Sequence, residues 1–365
     1  MSSFVGVPDP IWVELLRYAT TAPSGDNCQP WRFRFEGPDL VVGFDPAADR
    51  SIMNTDDVGT LMAIGAFAET FDIAAAHLGY TSTWSWVLPA RGPLDPACVA
   101  RVTLAPAASV DHPLFDAITR RHTDRNPFGR APLAIPDRHR LESCLGADAD
   151  VRLALVIDSA AKKSLASILA LNDQLVFAEH HVSDRLFATL HWGRLADDQP
   201  VGMSVRTLAQ PRHKEILLSL MRSRLVRRVA PFTGAPLVAA ADARQRIRSS
   251  AAIAMLVAPG DTHADLVAVG RAMQRLWLTA EAMGLAVQPI VGLPMLIRHV
   301  RSNAVLGLRA STVRAVVAAD GPLREHFDIA PDRLAAAAFR IGRSSTTVAR
   351  TRRLPVASLV TLPPG

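Results

Sequence analysis

Two stretches decide the fold: residues 63–82, AIGAFAETFDIAAAHLGYTS, and residues 268–287, AVGRAMQRLWLTAEAMGLAV. They align without a gap. Ala63, Gly65, Ala75 and Gly79 match Ala268, Gly270, Ala280 and Gly284, and the apolar Ile73 and Leu78 match Leu278 and Met283. The first reads as the end of a long apolar-faced helix over ~58–78 that Gly79 stops, the second as a helix over ~263–283. Buried Ala/Gly-rich helices resemble one another for packing reasons alone, so chance is the competing explanation. Taken as a repeat, the pair makes the chain a fused dimer of one α/β unit.

Around these helices the pattern alternates. A helix is expected over ~10–20. The turn-rich TAPSGDNCQP follows, then a hairpin of Trp31–Phe35 and Leu40–Phe44 around Gly37-Pro38-Asp39. Strands are expected at Thr81–Leu88 and Val99–Leu104. After a Pro/Ala-rich stretch come a helix at ~113–121, a strand at Val151–Ile157 and a helix over ~160–190. Further strands are expected at Ala251–Val257, Ala286–Ile290 and Ala335–Ile341. Residues 193–235 do not fit the repeat. They hold Pro200, Gly202, Pro211 and the basic amphipathic HKEILLSLMRSRLVRR, which suits either a solvated helix or a lid over a ligand site.

Composition narrows the class. The chain has 365 residues, 49% hydrophobic and 20% charged, enough for two domains or one duplicated unit and too apolar for general disorder. No stretch reaches ~18–20 uninterrupted apolar residues, and MSSFVGVPDP lacks the basic start and apolar run of a secretory leader. Cys28, Cys98 and Cys144 lie far apart without a CxxC pair, which disfavours a disulfide framework or a zinc site and suits a cytoplasmic protein. Net charge is +6, carried almost wholly by arginine, the lysines being Lys162, Lys163 and Lys214. Arginine anchors phosphates bidentately and cannot lose its proton, so the expected partner is a small phosphorylated ligand, with no nucleic acid and no membrane.

Absent motifs exclude some chemistry. There is no GxxxxGK[ST] phosphate loop, no GxSxG elbow and no HExxH. His180, His181 and His191 lack ligand spacing and read as structural. Four segments carry more. In Pro23-Ser24-Gly25-Asp26-Asn27-Cys28-Gln29-Pro30-Trp31, a hydroxyl, an amide and an indole suit a heteroaromatic ligand, or equally an Asx turn. Arg120-Arg121-His122-Thr123-Asp124-Arg125 places basic and hydroxyl groups after a helix, as a phosphate site or an exposed ion-pair cluster would. Pro289-Ile290-Val291-Gly292 ends a buried strand where a glycine lets a ligand approach the backbone. Arg343, Arg350, Arg352 and Arg353 form a basic cluster near the C-terminus, a phosphate grip or a solvated tail.

Together these segments resemble the FMN-dependent nitroreductase superfamily. Its PSxxNxQPW segment is matched by Pro23, Ser24, Asn27, Gln29, Pro30 and Trp31. Its Arg-His-Ser-x-Lys segment looks like Arg121-His122-Thr123-Asp124-Arg125, with arginine keeping the last charge. Its Pro-Ile-Glu-Gly segment looks like Pro289-Ile290-Val291-Gly292, with Val291 in the acidic position, and its C-terminal basic pair falls among Arg350, Arg352 and Arg353. The order, with PSGDN ahead of the basic segment, resembles the tandem, Acg-like branch, in which two halves of one chain mimic the family's dimer.

The resemblance implies an α+β, nitroreductase-like fold, a tandem pseudo-dimer with central, mostly antiparallel sheets flanked by helices. Residues 1–108 would supply PSGDN. Residues 109–365 would supply the phosphate and flavin-edge segments, with 193–235 as a lid-like insertion. Where the second half has Pro289 and Gly292, the first has Trp84 and Val87, so one complete flavin site per chain is expected. It would hold FMN phosphate among Arg121, Thr123, Arg125 and the C-terminal arginines. Asn27 and Ser24 would reach the ring, a backbone N–H near Val291 or Gly292 would face flavin N5, and Asn172 and Asp173 are candidates for the pyrimidine end. The implied activity is ping-pong transfer from NAD(P)H to a small nitro- or quinone-like substrate, with no side chain as acid, base or nucleophile. A flavin-sequestering protein and a flavin oxidase or dehydrogenase of a biosynthetic intermediate remain alternatives.

Overall fold

The structure, a computed structural model, describes residues 9–361 apart from 147–149, 303, 305, 306, 347 and 348. Residues 1–8, most of the stretch in which no leader is expected, lie outside the described residues.

Strands β1 (Trp31–Glu36) and β2 (Asp39–Phe44) pair antiparallel through a two-residue turn, Gly37-Pro38. Gly37 sits at φ 62°, a conformation a hairpin turn requires and a side chain would resist. With β3 (Tyr80–Trp86) and β4 (Ala100–Pro106) they form an antiparallel sheet in the order β1-β2-β4-β3. The second sheet contains β5 (Arg152–Val156), β8 (Ala252–Ala258), β9 (Ala286–Ile290) and β10 (Leu334–Gly342), again all antiparallel, in the order β5-β8-β10-β9. The two orders are the same plan: first strand on one edge, second inside it, third on the far edge, fourth between. A separate two-residue parallel pair joins β6 (Leu190–His191) to β7 (Met203–Ser204).

Each second strand leads to the long helix of its half, β2 to α2 (Val58–His77) and β8 to α11 (His263–Ala282). Thr262 and Asp265 close a capping box at the start of α11, satisfying two amides that the helix leaves free. Helices α2 and α11 pack along each other between the sheets, and both glycines of the repeat lie at the crossing. A Cβ on Gly65 would lie 2.1 Å from the Val267 carbonyl oxygen, and one on Gly270 would lie 2.1 Å from that of Met62. The repeat alignment pairs Gly65 with Gly270 and Met62 with Val267, so each contact is the image of the other, as across a two-fold interface. Glycine is required because the backbones touch.

The core runs through both sheets and this seam: Trp31, Phe33, Phe67 and Phe71 on one side, Leu276, Trp277 and Phe339 on the other, all at most 2% exposed. Residues 52–77 are long and apolar enough to cross a membrane by length and composition, but 89% of the apolar window is buried inside the protein, as a central core helix must be.

The remaining helices are α1 (Pro10–Ala19), α3 (Phe115–Arg120), α4 (Ile135–Glu142), α5 (Ser159–Leu169), α6 (Leu171–Ala178), α7 (His180–Thr189), α8 (Arg212–Leu220), α9 (Arg224–Val229), α10 (Ala235–Arg248), α12 (Gly292–Arg301) and α13 (Ala310–Phe327). The single helix expected over ~160–190 is three. The sharpest break is at Glu179, buried and extended at φ −114°, whose carboxylate accepts from the amide and guanidinium of Arg309 at 3.3 Å each and from the Thr312 hydroxyl. A buried carboxylate that must meet donors on a neighbouring helix pulls its backbone out of the α-helix. The segment with no counterpart is also longer than 193–235: everything from α5 to α10 stands where the first half has only Gly37-Pro38. At the other end, the Phe33 amide donates to Leu359 O at 2.9 Å and the Thr361 amide to Phe33 O at 2.7 Å. The C-terminal tail thus crosses back to cover the β1 edge.

Candidate functional site

Between α1 and β1 the chain makes one turn of 3-10 helix, Gly25–Asn27, with Asp26, Asn27 and Gln29 at φ 46°, 58° and 49°. Such left-handed residues cost about 1–3 kcal/mol each unless surrounding bonds hold them. Those bonds are present. Gln29 donates its amide N–H to Ser24 Oγ at 3.0 Å, its side chain donates to Pro200 O at 2.6 Å, and its Oε1 accepts from the Leu354 amide at 2.8 Å. Asn27 Nδ2 is shared among the carbonyls of Pro200, Gly202 and Arg352 at 3.0–3.1 Å, while its Oδ1 accepts from Arg353 at 2.6 Å. The loop therefore joins the insertion to the C-terminal tail. This differs from the expectation for Asn27: its amide is spent on backbone carbonyls, which would otherwise be buried without a donor.

Where α3 ends, Arg121 turns inward and is 8% exposed. Its guanidinium lies 4.6 Å from the Trp277 ring centroid and donates to Thr21 O at 2.8 Å, but among the described residues its Nε has no partner. Beside it Arg353 donates to Thr20 O and Thr21 O at 3.1 Å each, and Arg350 at the rim donates to Thr119 O at 3.1 Å. Among the described residues none of these three arginines meets a carboxylate within ion-pair distance. Burial first, then the charge of Arg353, pushes the Arg121 pKa down to about 9 against the opposing pull of Glu281. Burial alone takes Arg353 to about 10. Desolvated positive charge without a counter-ion suits an anion. Thr123 lines the same space.

Arg125 stands apart from that trio. It donates to Thr207 O at 3.1 Å and lies 3.5 Å from Met203 Sδ, and the charges that act on it are those of Asp26, Asp173, Arg246 and Asp124. Arg352 also departs from expectation. Its side chain is exposed, pairs with Asp198 at 2.6 Å and does not line the cavity.

At the other wall β9 ends at Ile290 and α12 opens at Gly292, with Val291 as its N-cap, so the first amides of α12 have no helical acceptor. A Cβ on Gly292 would lie 2.3 Å from Asn172 Oδ1, which explains the glycine: the α6 amide fills the place of a side chain. In the first sheet the corresponding ground is filled. Trp84 stacks on Trp86 at 5.2 Å and donates from Nε1 to Asp72 at 2.7 Å, and Asp72 in turn pairs with Arg271 at 2.6 Å.

These walls enclose one cavity of about 1360 Å³. Pro23, Ser24, Asn27, Arg121, Thr123, Arg125, Pro289, Ile290, Val291, Gly292, Arg350 and Arg353 all line it, from segments up to 330 residues apart, and so do Asn172 and Asp173. Three carboxylates in it, Asp26, Asp49 and Asp242, are not among the residues singled out from the sequence. Burial first, then the charge of Asp49, raises the Asp26 pKa to about 6, and burial raises Asp49. The only signal for Asp26 was its place inside the PSGDN segment. Asp49 gave none, because nothing local marks a residue brought in by a loop between β2 and α2. Apolar residues of α8–α10 form the outer wall.

Among known proteins the chain is 33% identical over 174 residues to a putative NAD(P)H nitroreductase, acg, of Mycobacterium tuberculosis (strain ATCC 25618 / H37Rv), a match over 45% of this chain and 51% of the relative. It is 27% identical over 287 residues to an uncharacterized protein of Mycobacterium tuberculosis (strain CDC 1551 / Oshkosh), over 78% of this chain and 39% of that one. The matches thus span about half of these relatives or less. A solved structure, the FMN-dependent nitroreductase NfnB from Mycobacterium smegmatis in complex with NADPH, aligns at 19% identity over 67% of this chain and 96% of that one, with TM-score 0.35. No protein-family model matches the chain.

Proposed function

We propose that this chain, a homologue of nitroreductase proteins, is an FMN-dependent oxidoreductase that takes electrons from NAD(P)H and passes them to an organic acceptor in the same cavity. One site per chain is shared by two nitroreductase-like halves. The observation that carries this reading is the arginine trio: among the described residues Arg121, Arg350 and Arg353 have carbonyl partners, no carboxylate, and at Arg121 Nε a buried donor without an acceptor. A phosphate dianion supplies what is missing, through charge-assisted hydrogen bonds. FMN, when bound, supplies the hydride and electron chemistry. The chain's part is to hold and orient. The trio and the Thr123 hydroxyl grip the phosphate, the first amides of α12 offer donors beside Pro289 and Ile290, and Asn172, Asp173 and Arg125 present polar groups to the ring. Apolar residues of helices α6–α10 wall the cavity around it.

The clasp between the insertion and Asn27 and Gln29 favours a second reading, restricted access with flavin storage. Anaerobic mixing of the FMN-loaded protein with NADH or NADPH separates the two. Loss of the flavin absorbance bands within seconds is expected of the enzyme, unchanged bands with flavin retained are expected of storage, and failure to retain FMN at all removes both.

A further inference from the structure

The cavity is larger than the ~300–1,000 Å³ of ordinary ligand sites. Its outer part is apolar wall that nothing among the described residues covers. Leu217 and Leu220 on α8, Leu225 and Val229 on α9 and Val238 on α10 line the cavity yet are 50–71% exposed. Phe177 and Leu186, from α6 and α7, complete the opposite side, so the patch is a concavity and not a flat face. Apolar surface of this extent is unusual on a soluble chain unless a ligand covers it.

The same segment concentrates charge. Residues 212–248 hold nine arginines and lysines against two acidic residues, +7, whereas the whole chain carries +6. Lys214, Arg227 and Arg246 are paired, with Asp242, Asp184 and Asp173. Among the described residues Arg224 and Arg228, exposed on α9 beside Leu225 and Val229, have no ion-pair partner. Apolar wall flanked by free guanidiniums is complementary to one kind of molecule, an apolar chain ending in a negative head.

We infer that the outer cavity binds an anionic amphiphile, its chain laid against Leu217, Leu220, Leu225, Val229 and Val238 and its head against Arg224 and Arg228. The site itself does not need FMN, and the inference stands apart from the flavin reading. The probe is 11-(dansylamino)undecanoic acid, followed by its fluorescence below the concentration at which it forms micelles, with FMN retention measured on the same samples. Saturable binding is expected. Leu225→Asp and Val229→Asp, at exposed positions that leave folding intact, each weaken it about tenfold or more, the ratio for one fully buried aliphatic side chain. Arg224→Glu with Arg228→Glu weakens the acid but not its methyl ester. No saturable binding, or equal affinity in all variants, overturns the inference even where FMN is retained. Binding only to vesicles of equal parts phosphatidylglycerol and phosphatidylcholine, with none to the monomeric probe, also overturns it. Amphiphile binding without FMN retention leaves this site standing and removes the flavin reading instead.

Discussion

Gly65→Ala and Gly270→Ala set two effects of opposite sign against each other. Both glycines are inside helices, where alanine gains about 1 kcal/mol from backbone propensity. Each added Cβ, however, meets a backbone carbonyl oxygen of the other helix at 2.1 Å. Carbon–oxygen contact begins near 3.3 Å, so α2 and α11 must separate by about 1.2 Å, and no side-chain rotation can relieve this. Overpacking of a tight core costs about 1–3 kcal/mol, and a rigid backbone contact lies at the upper end. Each variant is therefore expected to lose about 1–2 kcal/mol after the propensity gain. One separation relieves both clashes, so the double variant should lose less than the sum of the singles. Urea unfolding with the midpoint and slope of each variant measures this. A single variant as stable as the parent, or strict additivity in the double, would refute the packed two-fold seam.

Asn27→Ala leaves the carbonyls of Pro200, Gly202 and Arg352 without their shared donor, so limited proteolysis around residues 193–210 should become faster, with about 1–3 kcal/mol of stability lost. Asp26 gives a pH signature. Its folded pKa of about 6 lies above the ordinary 3.8, so as pH rises from ~4 to ~6 the unfolded chain releases a proton that the folded chain keeps, and stability falls. Asp26→Asn should therefore stabilise the protein at pH 7 by at most about 3 kcal/mol, with the gain vanishing near pH 4, in urea unfolding at both values. Gly292→Ala drives a Cβ against the Asn172 amide and should weaken FMN retention, read by dialysis, while leaving the unfolding midpoint nearly unchanged.

Much of the fold was legible because its signals are local. The glycine-stopped α2, the hairpin over Gly37-Pro38 and the apolar β8 each answer to a pattern within ten or twenty residues. The helix break at Glu179 was not, because its cause is a set of donors 130 residues away. Helix α13 was hidden by Gly321 and Pro322, residues that usually end a helix and here lie inside one. The same division holds at the site. PSGDN, the Arg121 segment and Pro289–Gly292 carry recognisable residue types at fixed spacing. That Asn27 binds the insertion, that Arg125 faces Thr207 and that Arg352 turns outward depend on where distant loops come to rest.

Fluorescence titration of FMN into the flavin-free protein, in parallel with Arg121→Ala and Arg353→Ala, measures whether these arginines hold the cofactor. Quenching that saturates at one FMN per chain is expected, with affinity about 10–100-fold weaker in each variant, as for the loss of a charged hydrogen-bond partner. Two FMN per chain, no saturable quenching, or variants that bind as tightly as the parent would contradict the flavin reading.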